Sequence, residues 1–372
     1  MKIKIQEDEY KNEGRIMNKS NISVIIPAYE PDDKLITTLH ELIEAGFDDI
    51  LVVDDGSSDS CKDVFAEVLS LPQCTLLRHE QNKGKGAALK TAFSFFLKQR
   101  PKRNVAVTAD ADGQHLTKDI EAVSAMCQEK EGVVLGVRDF SAPQVPSKSK
   151  LGNRITSGVF RLFFGMKIQD TQTGLRAFSR KYLESILKVS GERYEYETNM
   201  LFAINKLSVP LWQVKIETVY LEDNKSSHFR VVRDSLRVYG LIIKYLCSSA
   251  AASVVDVLAY YFIKRASASL ALPIPSTFGA AFIARIISSL LNYVINAKVV
   301  FQDVTNGKTL VKYYGLAAIQ IGLSAAIVYF IEHILCITTP GLSTLLKVLV
   351  DTVLFFFSFR IQHKWVFNEK KK

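Results

Sequence analysis

Val105-Ala106-Val107-Thr108-Ala109-Asp110-Ala111-Asp112-Gly113-Gln114-His115 decides how this chain is read. The short run Val105–Thr108 predicts a strand, and the chain then sets two carboxylates, one residue apart, at its carboxyl end. Gly113 lets the backbone turn toward a ligand. Paired carboxylates are hard oxygen donors that can hold Mg2+ or Mn2+ and still leave positions open for phosphate oxygens. Asp-x-Asp pairs are also common on ordinary surfaces, so the strand-end position carries the reading.

Working outward, Ile22–Pro27, Ile50–Val53, Thr75–Leu77 and Val133–Val137 predict four more strands. Leu35, Ile36, Leu39, Leu42 and Ile43 recur at helical spacing before Gly46, and Ala87–Leu97 predicts a second helix. Strands alternating with helices predict an α/β, Rossmann-like, doubly wound parallel sheet. Ligands of such sheets lie beyond the carboxyl ends of the strands. Asp54-Asp55-Gly56-Ser57 closes the second strand, so both acidic motifs converge on one crevice. Asn82-Lys83-Gly84-Lys85-Gly86 opens a helix, where backbone amides can approach a diphosphate. It lacks the P-loop spacing, and a plain glycine-containing loop explains it equally well.

Near residue 240 the character changes. Four apolar segments follow, approximately Leu241–Ile263, Ser276–Ala297, Tyr313–Leu335 and Leu342–Gln362. Each is near the roughly 20 residues that cross a bilayer. Two basic amphipathic stretches precede them. In Ser147–Met166, Leu151, Ile155, Val159, Leu162 and Phe163 form an apolar stripe beside Lys148, Lys150, Arg154 and Arg161. In His228–Tyr239, Phe229, Val232, Leu236 and Tyr239 oppose Arg230, Arg233 and Arg237. Such helices lie in a membrane interface, the alternative being ordinary packed surface helices. Lys298, Lys308, Lys312 and the tail Lys370–Lys372, against an uncharged Cys336–Gly341 turn, place the catalytic domain and both termini in the cytoplasm. Lys264 and Arg265 run against that assignment. The domains expected are a polar tail (1–20), a catalytic domain (21–227), a juxtamembrane helix (228–240), a membrane domain (241–367) and a basic tail (368–372). The net charge of +9, from 47 Lys+Arg against 38 Asp+Glu, fits an anionic membrane surface. No nucleic-acid motif is present, and nucleic acid is not expected as a partner. The first 20 residues hold no apolar run, so no signal peptide is expected. Five scattered cysteines without a CxxC read as free thiols in a reducing compartment. A carboxylate site tethered to a membrane implies an enzyme whose second substrate is a lipid.

Five ordered motifs carry a resemblance. They are Ser23-Val24-Ile25-Ile26-Pro27-Ala28-Tyr29-Glu30, Val53-Asp54-Asp55-Gly56-Ser57-Ser58-Asp59, Asn82–Gly86, Asp110–His115 and Asp170-Thr171-Gln172-Thr173-Gly174-Leu175-Arg176-Ala177-Phe178. Over roughly residues 20–235 the chain resembles family 2 glycosyltransferases of the dolichol/polyprenyl-phosphate sugar synthase type. The last four segments resemble the GtrA-like membrane family, through Asn292, Asn296, Lys298, Phe301 and Gln362-His363-Lys364-Trp365-Val366-Phe367. The resemblance implies a GT-A fold and inverting transfer of a hexose-type sugar from a GDP- or UDP-linked donor to polyprenyl phosphate. It implies that Pro27, Tyr29, Glu30, Asp55, Lys85, Asp110 and Asp112 bind the nucleotide sugar, with Glu30 and Asp55 at base and ribose. Asp110, Asp112 and Gln114 would hold Mg2+ or Mn2+; Arg138, Arg154 and Arg230 would meet the acceptor phosphate. Asp112, Arg138 and Arg154 would form the catalytic set. His115 is expected as a structural neighbour, and Glu195 and Glu197 in positioning roles. One rival, a processive polysaccharide synthase, carries Gln-x-x-Arg-Trp, which Gln362-His363-Lys364-Trp365 does not reproduce. The other gives the four helices a translocase role toward lipid-linked sugar instead of simple anchoring. Homo-oligomerisation, the sugar, the nucleotide and the lipid length stay open.

Asn292–Phe301 echoes Ser358–Phe367 and suggests an internal repeat. Aligning the two sets Arg285 against Asp351. A lone charge at that depth costs at least a few kcal/mol. Arg285 and Asp351 are therefore expected to pair, with Asp256 as a candidate third member; separate snorkelling is the alternative.

Overall fold

The computed structural model describes residues 17–140, 145, 147–217, 240–269, 277–301, 303, 305–336 and 340–367. They form two compact units that divide between Val238 and Tyr239. Arg230 and the whole His228–Tyr239 stretch lie outside the described residues.

The N-terminal unit is built on seven strands: β1 Ile22–Ala28, β2 Ile50–Asp54, β3 Cys74–Arg78, β4 Val105–Thr108, β5 Val133–Arg138, β6 Arg176–Ser179 and β7 Leu211–Ile216. Their order is β3-β2-β1-β4-β6-β5-β7. β2 and β4 are buried along their whole length, which is why they read as continuous apolar runs. Helices α1 Asp33–Glu44, α2 Lys62–Ser70, α3 Lys85–Gln99 and α4 Thr117–Lys130 connect the first strands. α1 begins under an Asp32 N-cap whose side chain accepts the Lys34 N–H, and buries Leu35, Leu39 and Leu42 against the sheet core of Val24, Val52 and Val107.

The expectation of an all-parallel sheet needs correcting. β6 runs antiparallel between β4 and β5. Helix α5, Ser147–Val159, follows β5 in the chain, and β6 then begins with Arg176 opposite Leu135 and runs back to set Phe178 opposite Val133. β6 and β7 escaped the reading of the sequence. Arg176-Ala177-Phe178-Ser179 is four residues long and starts on a charge, and Lys215 interrupts β7. The reversal matters because it pairs Arg176 with Thr108 and lays the Asp170–Gly174 loop beside the Asp110 motif.

α5 continues into a π-helical turn, Phe160–Phe164, ended by Gly165 in the left-handed region. Its inner face buries Asn153, Thr156, Phe160 and Phe164. After the short helix α6, Arg180–Leu187, comes α7, Glu195–Leu207, on whose Phe202 Phe160 stacks at 4.9 Å. The outer face presents Leu151 (59% exposed), Ile155 (53%) and Leu162 (45%) together with Arg154.

The C-terminal unit holds four helices, Gly240–Ser269, Thr277–Ile295, Gly307–Ile334 and Pro340–Ile361. Among the described residues, three stretches are long and apolar enough to cross a membrane: Ile243–Ile263, Phe282–Val300 and Gly307–Ile334. The repeat seen in the sequence is a structural one. The second and fourth helices both end in a π-helical turn, Asn296–Val300 and Gln362–Val366. Phe301 and Phe367 close these turns, donating their N–H groups to the Asn296 and Gln362 carbonyls at 2.8 Å. Between the turns lies a buried polar chain. Asn296 Nδ2 donates to Gln362 Oε1 (3.2 Å), and Ser248 Oγ lies 2.7 Å from both Asn292 Oδ1 and Asn296 Oδ1. Gln362 Nε2 donates to the Tyr245 hydroxyl (3.3 Å).

The Arg285–Asp351 pair is not formed. Arg285 instead meets Asp256 at 3.4 Å, and Ser288 Oγ donates to the same carboxylate at 2.9 Å. Asp351 accepts from Lys347 (2.8 Å) and from Ser324. Lys347 stands one turn before Asp351, and that local i,i+4 contact satisfies the carboxylate without reaching across the bundle.

Candidate active site

Asp110 and Asp112 follow β4. Thr108, its last residue, donates through Oγ1 to the carbonyls of Gly174 (2.8 Å) and Arg176 (3.3 Å), tying the strand end to the neighbouring loop. Gly174 leaves the space that Asp110 occupies: a Cβ there would stand 2.2 Å from Asp110 Oδ2. Lys85, the first residue of α3, brings its ammonium 2.6 Å from Asp110 Oδ1 and 3.2 Å from Glu197 Oε2 of α7. His115 Nε2 stands 3.4 Å from Asp110 Oδ2, and its Nδ1 is buried without a hydrogen-bond partner among the described residues.

These contacts set the electrostatics. Burial pushes the Asp110 carboxyl up, but the Lys85 ammonium and His115 hold it well below the usual carboxylate range. Burial likewise opposes the charge on Lys85, yet Asp110 and Glu197 keep it above an ordinary lysine. Asp112 is pushed up, first by burial and then by the charge of Asp110, although its Oδ1 accepts the Gln114 N–H at 3.1 Å. A crowded, all-oxygen carboxylate pair with one member driven toward neutrality is what a divalent cation relieves. Asp110 and Asp112 therefore fit such an ion, and Gln114 shapes Asp112 through its backbone. Among the described residues no group of three or more His, Cys, Asp or Glu is arranged to hold a metal ion, so other ligands would have to complete the shell.

Asp55 and Glu30, expected at the base and ribose, each hold a loop near the carboxyl ends of β1 and β2. Asp55 is buried, with Oδ1 2.7 Å from His79 Nδ1 and accepting the Lys83 N–H (3.0 Å), while Oδ2 accepts the Gly84 N–H (2.7 Å). It clamps the Asn82–Gly86 loop. Gly84 is held there at φ +104°, where a Cβ would meet the Glu192 carbonyl at 2.6 Å. Glu30 accepts from the Ser58 N–H and hydroxyl, at 2.8 Å each, and so organises the loop after β2. Pro27 is half-buried on β1, and Tyr29 just beyond it is exposed.

Arg138 ends β5. Its Nε donates to Asp170 Oδ2 (2.6 Å) and its Nη2 to Oδ1 (3.2 Å), a two-pronged grip from a fully buried carboxylate. Arg154 lies on the exposed face of α5. The structure thus gathers Lys85, Asp110 and Glu197 and sets Arg138 on Asp170. From the sequence, Asp170 and Arg176 read only as letters of a motif. Arg176 is buried, donates to the carbonyls of Thr173 (2.9 Å) and Glu197 (2.7 Å), and burial pulls its pKa down. Their signal was the density of polar residues in Asp170–Arg176, but pairing across the sheet was needed to give them partners.

Comparison with known proteins agrees with this geometry. The family described as Glycosyl transferase family 2 matches residues 23–187, and the GtrA/DPMS transmembrane domain matches residues 241–367. An uncharacterised protein of Methanocaldococcus jannaschii is 30% identical over 249 residues, covering 66% of this chain and 99% of that protein. The UDP-N-acetylglucosamine–dolichyl-phosphate N-acetylglucosaminyltransferase of Methanococcus voltae is 30% identical over 223 residues, covering 54% of this chain and 86% of that enzyme. The dolichyl-phosphate beta-glucosyltransferase of Dictyostelium discoideum is 29% identical over 245 residues, covering 58% and 73%.

Proposed function

The chain belongs to glycosyl transferase family 2 and is a membrane glycosyltransferase with a GtrA/DPMS transmembrane domain, and from this we propose its reaction. It moves a hexose-type sugar from a UDP- or GDP-linked donor to polyprenyl phosphate, with inversion, at the cytoplasmic face of a four-span membrane domain. The observation that carries the reading is the half-buried Asp110–Asp112 pair at the end of β4, with Lys85 on Asp110, in a chain that also carries that membrane domain. The names of two relatives, both dolichyl-phosphate glycosyltransferases, support the acceptor class.

A phosphate monoester, with a second pKa of about 6, is largely dianionic near neutrality and needs no general base. Arg138, pre-aimed by Asp170, holds the acceptor phosphate in line, and Arg154 and Arg230 approach it from the basic amphipathic stretches. Lys85 at the start of α3 faces the donor diphosphate. Asp110 and Asp112 would hold Mg2+ or Mn2+, which when bound stabilises the departing nucleoside diphosphate. A single displacement inverts the anomeric centre, and the beta linkage named for the Dictyostelium relative supports that outcome. The outward Leu151, Ile155 and Leu162 seat α5 in the headgroup layer.

The test incubates membranes containing the protein with polyprenyl phosphate, Mg2+ or Mn2+, and a panel of labelled UDP- and GDP-sugars. One donor is expected to give organic-extractable label that EDTA abolishes. Label that never enters lipid with any donor would overturn the proposal.

A further inference from the structure

Lys85 stands in an unusual place for a cation. It is the first residue of α3, where the helix dipole disfavours positive charge, and its side chain is only 18% exposed. Its ammonium is held by Asp110 Oδ1 at 2.6 Å and Glu197 Oε2 at 3.2 Å. It therefore covers an oxygen that a divalent cation would need. Mg2+ binds oxygen at about 2.0–2.1 Å, and two cations on one carboxylate oxygen repel. The ammonium can leave Asp110 without losing all compensation, because Glu197 is already in contact. Charge points the same way: Asp110 and Glu197 both lie against the Lys85 ammonium, and the site gathers more carboxylates than this one ammonium can hold. A divalent cation offsets that excess, and a diphosphate beside Lys85 restores negative charge.

We propose that Lys85 is a resident counter-ion of Asp110 that retreats to Glu197 when the metal arrives, so that metal and nucleoside diphosphate bind cooperatively. Glu197 is then a positioning residue, acting through Lys85 rather than on the sugar. The inference rests on the metal-dependent reading of the site given above. In the empty enzyme the ammonium keeps the two carboxylates from repelling each other apart. In the loaded enzyme the same ammonium lies between Glu197 and the phosphates. Each ligand lowers the cost of the other's binding, and that coupling is reciprocal.

The experiment measures Mn2+ binding to full-length protein in detergent from the loss of the free-ion electron paramagnetic resonance signal. It is run without nucleotide, with UDP and with GDP. The wild type is expected to bind Mn2+ weakly alone, and about tenfold or more tightly with the matching nucleotide, within the 5–150-fold range usual for coupled sites. Lys85→Met is expected to tighten binding of Mn2+ alone by about tenfold and to remove most of the nucleotide enhancement. Glu197→Gln should weaken binding of Mn2+ alone severalfold in the wild type and leave it unchanged in the Lys85→Met background. Lys85→Met protein that binds Mn2+ alone no better than wild type overturns the inference. So does a Glu197→Gln effect of equal size in both backgrounds, which would make Glu197 a direct ligand. Wild type that takes up no Mn2+ with either nucleotide would instead remove the metal site itself, and the inference with it. Unchanged melting of both variants guards against misfolding as the cause.

Discussion

In the catalytic unit the buried and half-buried polar side chains gathered at the site include charged ones: Lys85 between Asp110 and Glu197, Arg138 on Asp170, Arg176 against the Glu197 carbonyl. In the transmembrane unit the buried ones are neutral: Ser248, Asn296, Ser358 and Gln362, joined to one another and to Tyr245. There the charges sit toward the outside, with the Arg285 side chain 76% exposed and that of Lys347 59%. The difference follows from what each site must do. A carboxylate held by an ammonium can exchange that partner for a metal or a phosphate, so a charged cluster is a place where ligands come and go. An amide pair in an apolar bundle has no such exchange open to it, and breaking it leaves an unsatisfied group where no water reaches. The neutral chain across the two π-helical turns therefore fixes how the two halves of the repeat meet.

The largest effect is expected at Asp112. Asp112→Ala should lower transfer by about 10²–10³-fold or more, the scale of losing one preorganised electrostatic partner in a site, while the protein stays folded. Gly174→Ala should come close to it, because its Cβ would stand 2.2 Å from an Asp110 oxygen. Steady-state assays at saturating donor and metal check both; near-normal turnover would separate the carboxylate pair from the reaction. At Arg138 the expected effect is smaller and of a different kind. Asp170→Asn should raise the apparent KM for lipid phosphate about 10–100-fold, as loss of an outer-shell partner does, and leave the donor KM nearly unchanged. Arg138→Lys should not restore the acceptor KM, since the two-pronged grip is gone. A rise confined to the donor would move Arg138 to the diphosphate side.

The neutral cluster should respond in stability rather than chemistry. Asn296→Leu should destabilise the transmembrane unit by about 1–2 kcal/mol, the scale of one hydrogen bond between membrane helices, with nucleotide binding unaltered. Gln362→Leu should do the same, and the double variant should fall short of the sum, as neighbours in one network do. Full additivity in detergent unfolding would mean that the 3.2 Å contact is not shared. The smallest effect is expected at Asp119 of α4. Burial lifts its carboxyl to about 6, so its ionised form is worse off in the fold than in the unfolded chain. Its contribution is present below the unfolded value of about 3.9 and is lost as pH rises through about 6. Asp119→Asn should flatten the fall in catalytic-unit melting temperature over that window. An unchanged slope would assign it to other groups.

Much of this was legible in the sequence. β1, β2, β4 and β5 are mostly apolar runs that the sheet buries, and Asp110 and Asp112 announce themselves by following such a run. The π-helical turns were visible as an echo between Asn292–Phe301 and Ser358–Phe367 because both copies bury the same kind of side chain. Partnership was not legible. The Asp55 motif does not show that its carboxylate is hydrogen-bonded to His79 and to the Lys83 and Gly84 amides. Lys85 and Glu197 are more than a hundred positions apart, and only the packing of α3 and α7 brings them to one oxygen pair. Arg285 was matched to Asp351 by alignment, but the hairpin of the first two helices offers Asp256 at closer range.

If the site delivers sugar to a phosphate held at the membrane surface, full-length protein reconstituted in liposomes with its labelled nucleotide sugar and Mn2+ will distinguish two lipid acceptors. One set of liposomes contains polyprenyl phosphate and the other the corresponding polyprenol. Lipid-extractable label is expected with the phosphate, none with the alcohol, and none from Asp112→Ala. Equal labelling of polyprenol, or label passing only to water-soluble acceptors, would overturn transfer to a lipid phosphate.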